Sequence, residues 1–169
     1  PAPDRPGLLK GTQGKVVELS GQTSARWRCP QCGYVALNDD LPENLFFRPW
    51  HVRGRRQVKD YVESLGSEAR EWLLALFVDK NLQLLAVDTV GRGDVSGVHV
   101  SFARILCRGH ALNAAGFILV HNHPSGNPNP SRSDMIFTNR LRHVSAELEM
   151  LLLDHLIVGG DEIVSVGGM

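Results

Sequence analysis

The stretch HNHPSGNPNPSRSD, residues 121–134, sets His121 and His123 one residue apart and follows them with a Pro/Gly-rich loop and a Ser-x-x-Asp ending at Asp134. On a continuing strand, side chains at i and i+2 point to the same side, so the two imidazoles can converge. If Asp134 opens a helix, the loop can fold its carboxylate back over the same spot. Two neutral imidazoles and a carboxylate form a three-ligand set suited to Zn2+, with a fourth tetrahedral position left for water. Zinc lowers the pKa of such a water from about 15.7 to about 7, which makes a hydroxide-like nucleophile available at neutral pH. Hydrolysis also requires an unligated carboxylate to handle the proton. Glu71, at the mouth of the apolar run WLLALFVD, is the best placed, and Glu68 and Glu63 are weaker alternatives. The bland reading stands beside this one. Ser131-x-x-Asp134 is also a capping box, with Ser131 accepting from the first helical turn and Asp134 favoured near its positive end. Taken alone, such a pattern is more often a cap than a metal site, and the two roles are compatible.

The elements that must position these groups can be read from hydrophobic spacing. Residues 12–38 alternate weakly and predict short strands around a turn at Pro30–Gly33, and NDDLPENLFFRPW reads as a linker. Residues 54–66 place Val58, Tyr61, Val62 and Leu65 at helical spacing, with Gly66 where a C-terminal cap would sit. EWLLALFVD and LQLLAVDTV predict two strands joined by a tight turn at Lys80-Asn81. From GVHVSFARILCRGHALNAA a helix is expected, with Phe102, Ile105, Leu106 and Leu112 near one face. GFILVH then reads as a buried strand ending at His121, SRSDMIFTNRLRHVSAELEM as a helix, and LLLDHLIVGGDEIVSVGG as two strands around a Gly-Gly-Asp turn. Alternating strands and helices with at least one hairpin predict an α/β sandwich on a mixed sheet. A small β-rich segment precedes it, giving residues 1–47 as an N-terminal arm with a knuckle-like β segment and residues 48–169 as the main domain.

Eighteen basic residues balance eighteen acidic ones, so overall charge gives no bias toward nucleic acid. No run approaches the roughly 18 apolar residues of a membrane span, and the opening PAPDRPGLLKG reads as a flexible arm. Three cysteines with one Cys-x-x-Cys make a poor disulfide framework and point to a reducing, cytoplasmic setting. Cys29-Pro-Gln-Cys32 is half of a zinc ribbon. A second, structural Zn2+ site closed within the chain by Cys107 and His110 is conceivable, and a ribbon completed across a homodimer, or one without metal, is the other reading. RPWHVRGRRQVK, residues 48–59, carries Arg48, Arg53, Arg55, Arg56 and Lys59 beside Trp50. It could track a phosphate backbone, although such a run is more often a solvated helix start. Ser125 has no base-and-orienter arrangement and reads as a loop-shaping residue. Asp154-His155 reads first as a strand-end pair, with a place behind the ligands as the other reading.

His-x-His-Pro, six residues, Ser, two residues, Asp matches the JAMM (MPN+) metalloprotease signature at every required position, and HNHPSG…PS..D…T resembles its RadC branch. The likeness runs over roughly residues 55–168, through REWLLALFVDKNLQLL, ALNAAGFILVHNHPSG and LLLDHLIVGG. It implies the MPN (cytidine-deaminase-like) α-β sandwich, with His121, His123 and Asp134 as zinc ligands. Glu71 would hold and deprotonate the water and deliver the proton to the leaving amine, and Ser131 would donate to the developing oxyanion. It also places His110 at an apolar helix position and Cys107 at an exposed one. The N-terminal segment departs from the branch, with no recognisable helical-hairpin DNA-binding region. The reading that follows is a zinc-dependent hydrolase of a peptide or isopeptide bond. A DNA-associated protein binding through residues 48–59 and a small-molecule amidohydrolase are the alternatives.

Overall fold

The computed structural model describes residues 26–28, 35–37, 51–52, 55–94, 97–98 and 100–167. Strands β1 (Arg26–Arg28) and β2 (Val35–Leu37) pair antiparallel in a separate two-stranded sheet, in keeping with the expected strands around a turn. The turn itself, with Cys29 and Cys32, lies outside the described residues, as do Arg48, Trp50, Arg53 and the side chains of Arg55 and Arg56. The linker and the metal-knuckle and phosphate-tracking expectations fall there too.

The main sheet has six strands in the order β5-β4-β3-β6-β7-β8. They are β3 (Glu71–Val78), β4 (Leu84–Asp94), β5 (Gly97–Val98), β6 (Gly116–Asn122), β7 (Leu151–Gly159) and β8 (Glu162–Ser165). Only β6 and β7 pair parallel; the other neighbours are antiparallel, so the sheet is mixed as expected. A parallel pair requires a crossover, and α3 (Arg132–Glu147) supplies it. The chain therefore leaves β6 by a loop at the carboxyl end of that strand, the end of a parallel pair where ligands bind in α/β sheets.

Strand β3 is apolar without alternation because both of its faces are covered. Its even-numbered residues Trp72, Leu74, Leu76 and Val78 pack with Val58, Val62 and Leu65 from α1 (Arg55–Val62) and the 3-10 turn Glu63–Ser67. Its odd-numbered residues Leu73, Ala75 and Phe77 pack with Ile105 and Leu106 of α2 (Phe102–Ala111) and Leu141 of α3. The result is a three-layer α/β sandwich.

Three boundaries differ from the sequence reading. The first helix tightens into the 3-10 turn at Glu63, so Gly66 lies inside that turn and does not act as its cap. Residues 97–98 form a short strand, and α2 begins only after Ser101. The β-branched residues Val98 and Val100 favour extended backbone there. Strand β4 runs on to Asp94, beyond the predicted end. In α2, His110 is exposed and Cys107 half-buried, so the apolar position implied for His110 is corrected: it lies on the solvent side of the helix.

The 3-10 turn leads directly to Glu71, and backbone contact fixes its seat. A Cβ on Gly66 would lie 2.1 Å from the Gly160 carbonyl oxygen in the β7–β8 turn. Gly66→Ala is expected to destabilise the fold by about 1–3 kcal/mol through this overlap. Urea unfolding would measure it, and an unchanged midpoint would show that the two turns do not bear on one another.

Candidate metal centre

The pairing register brings the separated parts of the site together. Leu73 on β3 pairs with His121 on β6, so Glu71, two residues outward on β3, reaches the position of His123. Ligand atoms of Glu71, His121 and His123 all lie within 4.8 Å of one another. From above, α3 brings Asp134 in: Oδ1 is 3.5 Å from His121 Nε2 and Oδ2 is 3.6 Å from His123 Nε2. The capping box also forms. Ser131 is the N-cap, the Asp134 N–H donates to Ser131 Oγ at 3.2 Å, and the Ser131 N–H donates to Asp134 Oδ2 at 2.8 Å. Capping and facing the imidazoles are compatible because the helix start points the carboxylate down at the strand end.

Hydrogen bonding fixes the tautomer of both imidazoles. Thr138 Oγ1 lies 2.6 Å from the Asp134 carbonyl oxygen, which can only accept, so the hydroxyl donates there. It must then accept from His155 Nδ1, 2.6 Å away. Neutral His155 is left with a bare Nε2, which accepts from His121 Nδ1 at 2.8 Å. His121 Nε2 is therefore bare as well. Burial, and the neighbouring His155 after it, lowers the His121 pKa to about 3; burial lowers that of His155 to about 4. Both rings are thus neutral at ordinary pH. On the loop side, His123 Nδ1 faces the Asn127 carbonyl at 2.7 Å and must donate to it, which turns Nε2 inward. The two Nε2 atoms stand 2.9 Å apart.

Such a pair is satisfied only by a cation between the nitrogens, either a proton or a metal ion. The spacings resemble the edges of a tetrahedron, which measure about 3.3 Å for ligand bonds of roughly 2.0–2.1 Å. The donor set of two imidazole nitrogens and carboxylate oxygens fits a metal site. Burial pushes the Glu71 carboxyl above its ordinary value; His123 opposes this and Asp134 adds to it. Burial also works to raise Asp134, but hydrogen bonds from Ser131 and the adjacent imidazoles outweigh it and hold the carboxyl below its usual range.

The other expected residues fall as follows. Ser131 is beside the site, but its hydroxyl donates to Asp134 Oδ2 at 2.5 Å and lies 2.8 Å from Ser133 Oγ. Glu68 ends the 3-10 turn and Glu63 is exposed; neither joins the cluster. Ser125 Oγ accepts from the Asn127 N–H at 3.4 Å, consistent with shaping the loop. Asp154 and His155 divide their roles: Asp154 accepts from the His155 N–H and Ser165 Oγ, tying β7 to β8, while His155 backs His121. Thr138 entered the sequence reading only as the threonine that closes the RadC-like string, with no role given to it, and Gly159 was not singled out. Thr138 sits four residues after Asp134, one turn along the same helix face. Gly159 lies under the loop, where a Cβ would come 2.5 Å from Pro128 N and 2.7 Å from the Gly126 carbonyl oxygen.

A mixed sheet sandwiched by helices, with paired histidines at one strand end and an acidic helix start above them, defines a JAB-type α/β domain. The family model described as RadC-like JAB domain matches residues 52–168, and the chain belongs to that family. Among its relatives, a UPF0758 protein of Polaromonas sp. is 35% identical over 133 residues, covering 78% of this chain and 57% of that protein. UPF0758 protein Bpet3149 of Bordetella petrii is 39% identical over 161 residues, covering 95% and 71%. A UPF0758 protein of Azotobacter vinelandii is 40% identical over 110 residues, covering 64% and 49%. The chain thus spans about half the length of several of the relatives it matches. Among the described residues no helix is long and apolar enough to cross a membrane.

Two outcomes are expected. Thr138→Val leaves the His155 Nδ1–H without its acceptor, which should cost about 1–3 kcal/mol in urea unfolding. It should also weaken metal affinity by about 10–100-fold in chelator competition; unchanged affinity would show that the chain behind His121 does not tune it. The second outcome concerns pH. His121 and His155 have folded pKa values below their unfolded value of 6.5, so on acidification the unfolded chain takes up protons first. Metal-free protein should therefore lose stability as pH falls from 6.5 toward 4, by up to about 1.4 kcal/mol per pH unit for each histidine. A His155→Gln variant should show a shallower slope, and equal slopes would contradict the buried neutral imidazole.

Proposed function

We propose that this domain is a zinc-dependent hydrolase of amide bonds, in which His121, His123 and Asp134 hold the ion and Glu71 handles the proton. One observation carries the reading: a half-buried glutamate from one strand meets two inward-facing imidazole nitrogens at the end of the next, within 4.8 Å. The chemistry of the donor set supports zinc, since imidazole nitrogen and carboxylate oxygen are its ordinary ligands. Bound there, the ion would supply Lewis-acid polarisation of the substrate carbonyl and a more acidic water.

The protein's own groups divide the remaining work. Glu71, whose carboxyl burial raises, takes the proton of the attacking water and passes it to the leaving amine. Asp134, held low by Ser131, stays ionised and would offset part of the ion's charge beside the imidazoles. Ser131 would turn its hydroxyl from Asp134 to the carbonyl oxygen as negative charge develops there. No acyl-enzyme is required, and among the described residues exposed Ser125 has only its loop contact. A peptide or isopeptide is the substrate class this reading favours, and a reducing compartment fits the cysteine usage.

Purified protein should carry about one zinc per chain at this site, measured by elemental analysis. Glu71→Gln should retain the metal while peptide hydrolysis falls by about 10²–10⁴. His121→Ala/His123→Ala should lose the ion. A double variant that kept its zinc after Cys29 and Cys32 had also been replaced would overturn the assignment.

A further inference from the structure

Asn122, the residue between the two histidines, is fully buried, and its side chain belongs to neither the ligand set nor the apolar core. As the last residue of β6 it is paired with Val158 of β7, so its backbone is fixed to the parallel pair. Its parity differs from that of His121, so its side chain enters the α1 side of the sheet. There, Oδ1 accepts from the Trp72 N–H at 2.8 Å, while Nδ2 donates to the Arg70 carbonyl at 2.9 Å and the Glu68 carbonyl at 3.2 Å. The orientation of the amide is unambiguous, because the Trp72 N–H can only donate and the two carbonyls can only accept.

These partners bracket Glu71. The Arg70 carbonyl belongs to the peptide plane before its Cα and the Trp72 N–H to the plane after it. Holding both planes fixes the φ and ψ of Glu71, and with them the direction in which its side chain leaves the strand. The main-chain ladder does not do this on the β6 side, since the β3–β6 pairing ends at Leu73 and His121. The Asn122 amide continues the ladder by one step. Only a group with one acceptor and two donors in one plane satisfies all three partners; aspartate lacks the donors and leucine lacks everything.

We infer that Asn122 is a positioning residue for Glu71, tying the carboxylate's backbone to the histidine pair so that the two halves of the site keep a fixed separation. This rests on the reading of Glu71 as the proton-handling group.

The test is a double-mutant cycle on zinc-loaded full chain with acetohydroxamate, a metal-binding probe whose hydroxyl proton must pass to a neighbouring carboxylate. Zinc affinity and hydroxamate affinity are measured for the parent, Glu71→Gln, Asn122→Leu and the double variant. Zinc affinity is expected to change less than about threefold across the set. Hydroxamate binding should weaken about tenfold in each single variant, with no further loss in the double variant, as residues acting through one another require. If the leucine variant does not fold, Asn122→Asp, which keeps the acceptor for Trp72 and loses both donors, replaces it in the cycle. Equal losses from the Asn122 change with and without Glu71, or no loss at all, would overturn the positioning role. A Glu71→Gln protein that binds hydroxamate as tightly as its parent would instead remove the reading of Glu71 itself, and a parent that binds no hydroxamate would remove the metal centre.

Discussion

Two imidazole nitrogens, each turned inward by the hydrogen bond that the other nitrogen of its ring makes, face each other at 2.9 Å, and the rest of the site depends on that confrontation. It is unfavourable without positive charge between the rings, yet both sides are held to it. His123 is committed to a loop carbonyl, and His121 to a buried chain that ends on the main chain of α3. Neither ring can relieve the contact by changing tautomer without breaking another hydrogen bond, a buried one for His121 and a loop one for His123. A fold that keeps two acceptors aimed at one point uses its polar interior to create a place for a cation, whereas an ordinary core would pair them off.

The scaffold makes this arrangement local. A parallel pair, β6 and β7, sits beside an antiparallel partner, β3, so one strand end receives groups from three directions. The crossover helix arrives overhead with Asp134, β3 delivers Glu71 at the level of His123, and β7 places His155 behind His121. The apolar residues of β3 are buried on both faces, which leaves that strand little freedom to shift and carry Glu71 with it.

Much of this was legible in the sequence, and the reason is chemical. Imidazoles and carboxylates have few chemical substitutes, so His121, His123, Asp134 and Glu71 stood out by type and spacing, and the hydrophobic periods of β3, β6 and α3 said where each would sit. The hydrogen-bonded supports were harder to see. Thr138 and Asn122 are common helix and strand-end residues whose importance lies in which main-chain atoms they meet, and those meetings depend on register. Gly159 reads as half of a turn until the loop is seen resting on it. His155 was ambiguous beside Asp154 because adjacent residues on a strand face opposite ways, and only the sheet shows which of the two looks toward the site. The late start of α2 escaped because Val98 and Val100 fit a helical pattern of apolar residues as well as a strand.

Asp134 touches its surroundings at both ends. Its carboxylate faces the imidazoles, while its carbonyl starts the sequence of contacts through Thr138 and His155 that returns to His121. The linkage is a closed ring, and a ring of rigid joints has fewer degrees of freedom than the same joints in an open chain. A small tilt of α3 cannot move the carboxylate alone; it must drag the imidazole with it or open a joint of the ring. Accuracy at the strand end is therefore a collective property, shared with residues that lie behind it.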